Sequence, residues 1–192
     1  MKSGLEQALE FVFECEKLKG VLRQSRPNGL DRAENAAEHS WSVIVMAMSL
    51  LPELAPELEE VRVLRMLALH DVVEIDAGDT FLYGDTSGQA GAEKQAAERI
   101  FGLLPEARAR EFRAVWEEFE AMESAEAKFA RAIDRAAPIL QNFRNEGASW
   151  RANGVRADQV LAKSRFIADC CPPLWEEVRS RVEEARERGW LG

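Results

Sequence analysis

Apolar residues recur at three- and four-residue intervals along almost the whole chain, and no stretch alternates apolar with polar or strings β-branched residues together. That periodicity admits helices and little else, so the expected fold class is all-α. It predicts helices near 4–19, 36–51, 59–75, 89–103, 106–121, 124–145, 157–169 and 173–188, a bundle of about seven or eight. The punctuation agrees: Pro27-Asn28-Gly29 marks a loop, Pro52 and Pro56 a break, Gly78 to Gly88 a turn, Pro105 a helix start and Gly147 to Gly154 a loop. Ser124 can cap the helix that follows it, although Ala127 stands where a capping box needs an acid. At 192 residues, with neither repeat nor linker, the chain reads as one domain over 1–192.

Composition excludes several function classes. The cysteines are Cys15, Cys170 and Cys171, an odd count with an adjacent pair, which suits reduced thiols better than extracellular bridges. Glu6, Glu10, Glu14 and Glu16 interrupt the N-terminal apolar run, leaving neither a signal-peptide core nor a membrane span, so the expected location is the cytoplasm. A net charge of −9 disfavours nucleic acid and anionic lipid as partners. Against that background, Lys17, Lys19, Arg23, Arg26 and Arg32 face only Asp31, a local charge of +4. Such a segment suits either one small anion or a solvated loop.

The chain has two histidines, His39 and His70, each among apolar neighbours. His70 is followed by Asp71, which falls at the spacing of the expected buried stripe Leu64, Leu67, Ala68, Val72 and Ile75. Burying an ionised carboxylate is costly unless it is paired or coordinates a metal. Asp134 poses the same problem among Ala130, Ile133, Ala137, Leu140 and Gln141, with Arg131 and Arg135 on its flanks. Pro138 withholds the amide that the Asp134 carbonyl would normally receive, so a bend is expected there.

Each site alone has a plain structural explanation, a satisfied core histidine or an arginine pair. Together, His39, His70, Asp71 and Asp134 are more economically explained by one shared divalent ion. Two imidazoles with two carboxylates accept Mn, Co, Fe, Ni, Zn or, less readily, Mg. Such an ion generates a hydrolytic nucleophile from water. Glu74, four residues after His70, falls on the same helical face and can act as general base, or else is a surface carboxylate in a last turn.

At these residues the chain resembles the HD-domain hydrolase superfamily, in the branch that contains the 5′-deoxynucleotidases. The resemblance rests on ENAAEHSW at 34–41, LALHDVVEIDAGD at 67–79 and AIDRAAPILQN at 132–142, in that order, and covers roughly 17–150, with helices over 157–188 packing on this core. It implies metal ligation by His39, His70, Asp71 and Asp134, water activation by Glu74, and support from Asp79. It implies a substrate-phosphate arginine at Arg23, with Arg26 as the alternative. It further implies hydrolysis of (deoxy)nucleoside 5′-monophosphates and a homodimer, for which the C-terminal amphipathic helix could cover the partner. Gln24 stands where the branch's best-known deoxynucleotidase carries a ribose-excluding tryptophan, so discrimination by sugar is expected to be weaker.

The competing readings are a phosphatase for another small phosphomonoester, a non-catalytic nucleotide-binding module, and a binuclear phosphodiesterase or diiron oxygenase. The last needs further histidines, and none remain.

Overall fold

The 20-residue helix α7 (Ala125–Arg144) organises the rest of the computed structural model, which describes residues 2–84 and 86–192. Met1, and Asp85 within the expected Gly78–Gly88 turn, lie outside the described residues. Ser124 begins α7 as expected, its Oγ accepting from the Ala127 amide at 3.2 Å. Phe129, Ala130, Ile133, Ala136 and Ile139 form its buried stripe. Full burial of each larger side chain contributes roughly 1.5–3 kcal/mol.

Around α7 pack α2 (Ala36–Leu54), α3 (Glu60–Leu69), α6 (Glu106–Ala121), α10 (Ile167–Cys170) and α11 (Pro172–Glu187). A second apolar cluster, around Phe11, Ile100, Phe101 and Trp116, joins α1 (Gly4–Cys15) and α5 (Gln89–Phe101) to α6. The short α4 (Glu74–Ala77) packs on α5, and α9 (Ala157–Ser164) lies against α7 and α11. Among the described residues no strand forms, and no helix is long and apolar enough to cross a membrane.

Every expected helix is present, with four informative differences. The loop expected over Gly147 to Gly154 contains α8 (Ala148–Ala152), a single turn between two left-handed glycines. α2 continues through Pro52 to Leu54, losing one amide donor in its last turn, opposite the carbonyl of half-exposed Met48. The helix expected over 157–169 is split into α9 and α10, whereas α7 runs through Pro138 to Arg144 as the expected span did. The helix expected over 59–75 stops at Leu69, and Ala68, expected in its buried stripe, is exposed while Val63, Met66 and Leu67 are buried.

The segment after Leu69 positions much of the chemistry. The amides of Val72, Glu74 and Ile75 bond the carbonyls three residues back, at 2.9–3.3 Å, so the chain tightens to 3₁₀-like winding before α4. Residues three apart eclipse in such winding, which aligns Glu74 with Asp71 rather than with His70. Gly78 then ends α4 at φ +75°, ψ 157°, a conformation essentially reserved to glycine, and turns the chain toward Asp79.

α11 buries Leu174, Trp175, Val178, Val182 and Ala185 within its own domain. Its apolar face is therefore used inside the chain and is not free to cover a partner.

Candidate metal centre and active site

Three chain segments bring the expected ligands together. Asn35 caps α2 in a reciprocal box with Glu38, at 3.0 and 3.1 Å, which sets His39 in the first turn. His70 and Asp71 come from the tightened turn after α3, and Asp134 from the middle of α7. His39 Nε2 lies 2.9 Å from Asp134 Oδ1 and 4.0 Å from Asp71 Oδ2, and His70 Nε2 lies 3.1 Å from Asp71 Oδ1 and 3.4 Å from Asp134 Oδ1. His39, His70 and Asp71 each offer a donor atom within 4.8 Å of the others. Donors bonded to one transition ion at about 2.1 Å are themselves roughly 3 Å apart when adjacent and about 4 Å when opposite. The cluster has those dimensions.

The protonation pattern favours a cation. His70 Nδ1 donates to the Leu67 carbonyl at 2.9 Å, which leaves the lone pair on Nε2. That buried Nε2 has no hydrogen-bond partner and faces two carboxylates. A lone pair aimed at anions is repulsive unless a proton or metal ion stands between them. Burial opposes a proton on His70, yet Asp71 and Asp134 outweigh it and raise its pKa. Burial acts against the Asp134 carboxylate as well, but its hydrogen bond with His39 and the nearby His70 ring hold its carboxyl well below the usual range. The residues present therefore fit a divalent ion held by two neutral imidazoles and two carboxylates.

Arg23 enters the centre from the other side. Its Nη1 lies 2.9 Å from Asp71 Oδ2, 3.3 Å from Asp79 Oδ1 and 3.7 Å from Glu74 Oε2, while its Nε lies 3.9 Å from Glu34 Oε2. Burial, and then the charge of Asp71, push the Glu74 carboxyl up to about 9. Burial likewise raises Asp79, although Arg23 opposes it. Glu74 Oε2 is buried without a hydrogen-bond partner, an acceptor held ready at the wall of a cavity.

Arg26 does not join this group. It is 44% exposed on its side chain and donates to Asp31 at 2.7 Å, so the two arginines of the basic segment part company.

The residue that sequence reasoning missed is Glu34, 2% exposed. Its Oε2 accepts from Ser25 at 2.7 Å, its Oε1 accepts from Gln141 at 2.7 Å, and Oε2 lies 3.8 Å from His39 Nδ1. It places a buried carboxylate on the Nδ1 side of the His39 ring, away from Asp71 and Asp134. A short antiparallel pairing holds it there: Arg23 N to Glu34 O, Glu34 N to Ser25 O and Ala36 N to Val21 O, each 2.9 Å. Glu34 directly precedes the Asn35 cap, outside the helical period, so only its place at the head of the ENAAEHSW segment marked it.

Two cavities meet at the centre. One, about 400 Å³, is lined by His70, Asp71, Glu74, Asp79, Asp134 and Arg131 among others. A smaller one, about 100 Å³, lies among Phe81, Leu82, Tyr83, Ile139 and Trp150, and shares Arg23, Asp79, Thr80, Leu82, Arg135 and Pro138 with the first. Gln24 lines the smaller cavity. A third, about 560 Å³, is larger but borders the centre only through Glu34, His39 and Pro138, so we place the chemistry in the first.

Comparison with known proteins bears on this geometry. The HD domain family matches residues 15–175. The human 5'-deoxynucleotidase HDDC2 is 31% identical over 141 residues, 72% of this chain and 68% of that protein. Its Xenopus laevis counterpart is 30% identical over 179 residues, 88% of each chain. The crystal structure of a predicted metal-dependent phosphohydrolase from Magnetospirillum magnetotacticum MS-1 superposes with a TM-score of 0.94 at 43% identity, covering 99% of this chain and 96% of that one. The PH0347 protein of Pyrococcus horikoshii OT3, at 21% identity and a TM-score of 0.64, shares the fold. By match length and by fold, the chain belongs to the HD domain family.

Proposed function

We propose that the protein is a metal-dependent phosphohydrolase that cleaves nucleoside 5′-monophosphates, deoxyribonucleotides among them, to nucleoside and phosphate. The observation that carries the reading is the buried, unpartnered His70 Nε2 facing Asp71 and Asp134. The ligand set is His39, His70, Asp71 and Asp134, and Mn, Co, Fe, Ni, Zn and Mg remain the candidate metals. The deoxynucleotidase relatives and the phosphohydrolase neighbour support the substrate and the reaction class.

A divalent ion bound there supplies Lewis acidity to the phosphoryl group and acidifies water. Glu74 accepts the water's proton at Oε2 as the new O–P bond forms, and returns it to the sugar O5′ as the P–O5′ bond breaks. Its raised pKa suits the second step, and a divalent ion held by Asp71 would lower it and so suit the first. Asp79 and Arg23 hold each other and Asp71 in place, and Asp79 orients the substrate. The reading includes a cytoplasmic homodimer; exposed Leu5, Val12 and Phe13 on α1 and Trp41, Val45 and Met48 on α2 are apolar surface that a second copy would cover.

The test is phosphate release from a panel of ribo- and deoxyribonucleotides by metal-loaded protein, with metal analysis of His39→Ala and Asp134→Ala. Full metal stoichiometry in either variant defeats the ligand assignment. With Gln24 in the tryptophan position, the kcat/KM ratio between matched deoxy and ribo substrates should stay below roughly a hundredfold.

A further inference from the structure

A phosphate dianion approaching this centre needs a cation that is not already committed. Arg23 already has Asp71, Asp79, Glu74 and Glu34 at 2.9–3.9 Å from its guanidinium. Arg131, the second cation on the 400 Å³ cavity, donates to Glu120 at 2.6 Å, lies 3.9 Å from Asp134 Oδ2 and stacks 4.0 Å from the Phe119 ring centroid.

Arg135 differs from both. It lines the 400 Å³ cavity and the aromatic cavity alike, at their junction. Its hydrogen bond, from Nη1 to the Lys163 carbonyl at 3.1 Å, tethers it to α9. Its guanidinium carbon lies 5.9 Å from the Phe166 ring centroid, a looser approach than that of Arg131 to Phe119, and among the described residues no carboxylate is ion-paired with it, which leaves N–H donors for a ligand. A molecule with its phosphate in the acidic cavity and its apolar body in the aromatic one passes this guanidinium. The planar fork of arginine matches two phosphate oxygens at once.

We propose that Arg135 is a further substrate-binding residue, which holds the substrate's phosphate from the junction of the two cavities. The proposal rests on the phosphomonoesterase reading above, and it is tested without turnover. Inorganic phosphate and, separately, deoxyadenosine are titrated calorimetrically into metal-replete wild type, Arg135→Gln and Arg135→Lys, with metal content recorded for each. Phosphate binding should weaken by about 10- to 100-fold in Arg135→Gln, as for loss of a charged hydrogen-bond partner. It should recover partly in Arg135→Lys, which keeps the charge and loses the fork, while deoxyadenosine binding stays within about twofold.

Unchanged phosphate binding in Arg135→Gln overturns the proposal. So does weakened deoxyadenosine binding with phosphate binding intact, which would assign Arg135 to the sugar or base. If the Gln variant does not fold, Arg135→Lys decides alone, and phosphate binding equal to wild type overturns the assignment. Wild type that binds phosphate through Arg135 yet releases none from any nucleotide would defeat the functional reading and leave this one standing.

Discussion

Arg23 and Arg26 are three residues apart in one basic segment, and to a charge count they are equivalent. In the fold, Arg23 is 14% exposed on its side chain amid four carboxylates, and Arg26 is 44% exposed beside Asp31. The same contrast runs through the molecule. Pairs such as Arg110–Glu106 and Arg181–Glu177 lie on helix surfaces, where water and salt screen them. The charges around Asp71 are shielded from water and must answer one another, so each change there propagates to its neighbours. Burial separates charges that do chemistry from charges that keep the chain in solution.

The largest expected effect is on turnover. Glu74→Gln keeps the shape of the side chain and removes its ability to accept a proton, so kcat should fall by about 10²–10⁴-fold with metal content retained. Single-turnover phosphate release beside wild type measures it. Near-normal release would remove Glu74 from the mechanism and place its charge with the structural ones.

Arg23→Ala sharpens the contrast from the side of stability. Removing one partner of a buried ionic group leaves its counter-charges uncompensated, at a cost of about 3–5 kcal/mol. The metal-free protein should lose about that much in denaturant unfolding, and a divalent ion should restore part of it by neutralising Asp71. Loss under about 1 kcal/mol would mean that water already solvates the cluster.

Metal-free Glu74→Gln should move the other way. The Glu74 carboxyl is pushed up to about 9 from an ordinary 4.5, so below pH 4.5 it is protonated in both folded and unfolded chains and imposes no penalty. As pH rises from 4.5 toward 9 the unfolded chain releases a proton that the folded chain keeps, and wild type loses stability. Glutamine has no such proton. At pH 7 the variant should therefore be more stable by on the order of 3 kcal/mol, with the gain gone near pH 4. Unfolding curves at the two pH values decide it, and an equal gain at both would assign the effect to packing.

The sequence exposed the centre where a helical period made a polar residue conspicuous. His39, His70, Asp71 and Asp134 each interrupt an apolar pattern, and they converge. Glu34 interrupts nothing: it precedes a cap, and what buries it is the pairing of 34–36 with 21–25, a non-local bond pattern invisible to periodicity. The end of α3 at Leu69 escaped for a related reason. HDVVEID reads as helix in either winding, and only i→i+3 bonding distinguishes the tighter one that pairs Glu74 with Asp71. The single turn of α8 is too short to carry a period at all.

Arg26→Ala gives the smallest expected effect and the most direct check on what burial does. The Arg26 guanidinium meets Asp31, whose side chain is 95% exposed, so the charge pair is screened and its loss returns both groups to water they already touch. The backbone contribution survives the substitution, because the Arg26 carbonyl still accepts from Asn145 Nδ2 at 2.7 Å. Stability should therefore change by no more than about 0.5 kcal/mol. The kcat/KM for a nucleotide should stay within about twofold, since Arg26 lines neither cavity at the metal centre. Denaturant unfolding measures the first claim, and steady-state kinetics at low and high salt the second. A tenfold drop confined to low salt would mean that Arg26 guides the anionic substrate from a distance, and that exposure alone does not mark a charge as idle.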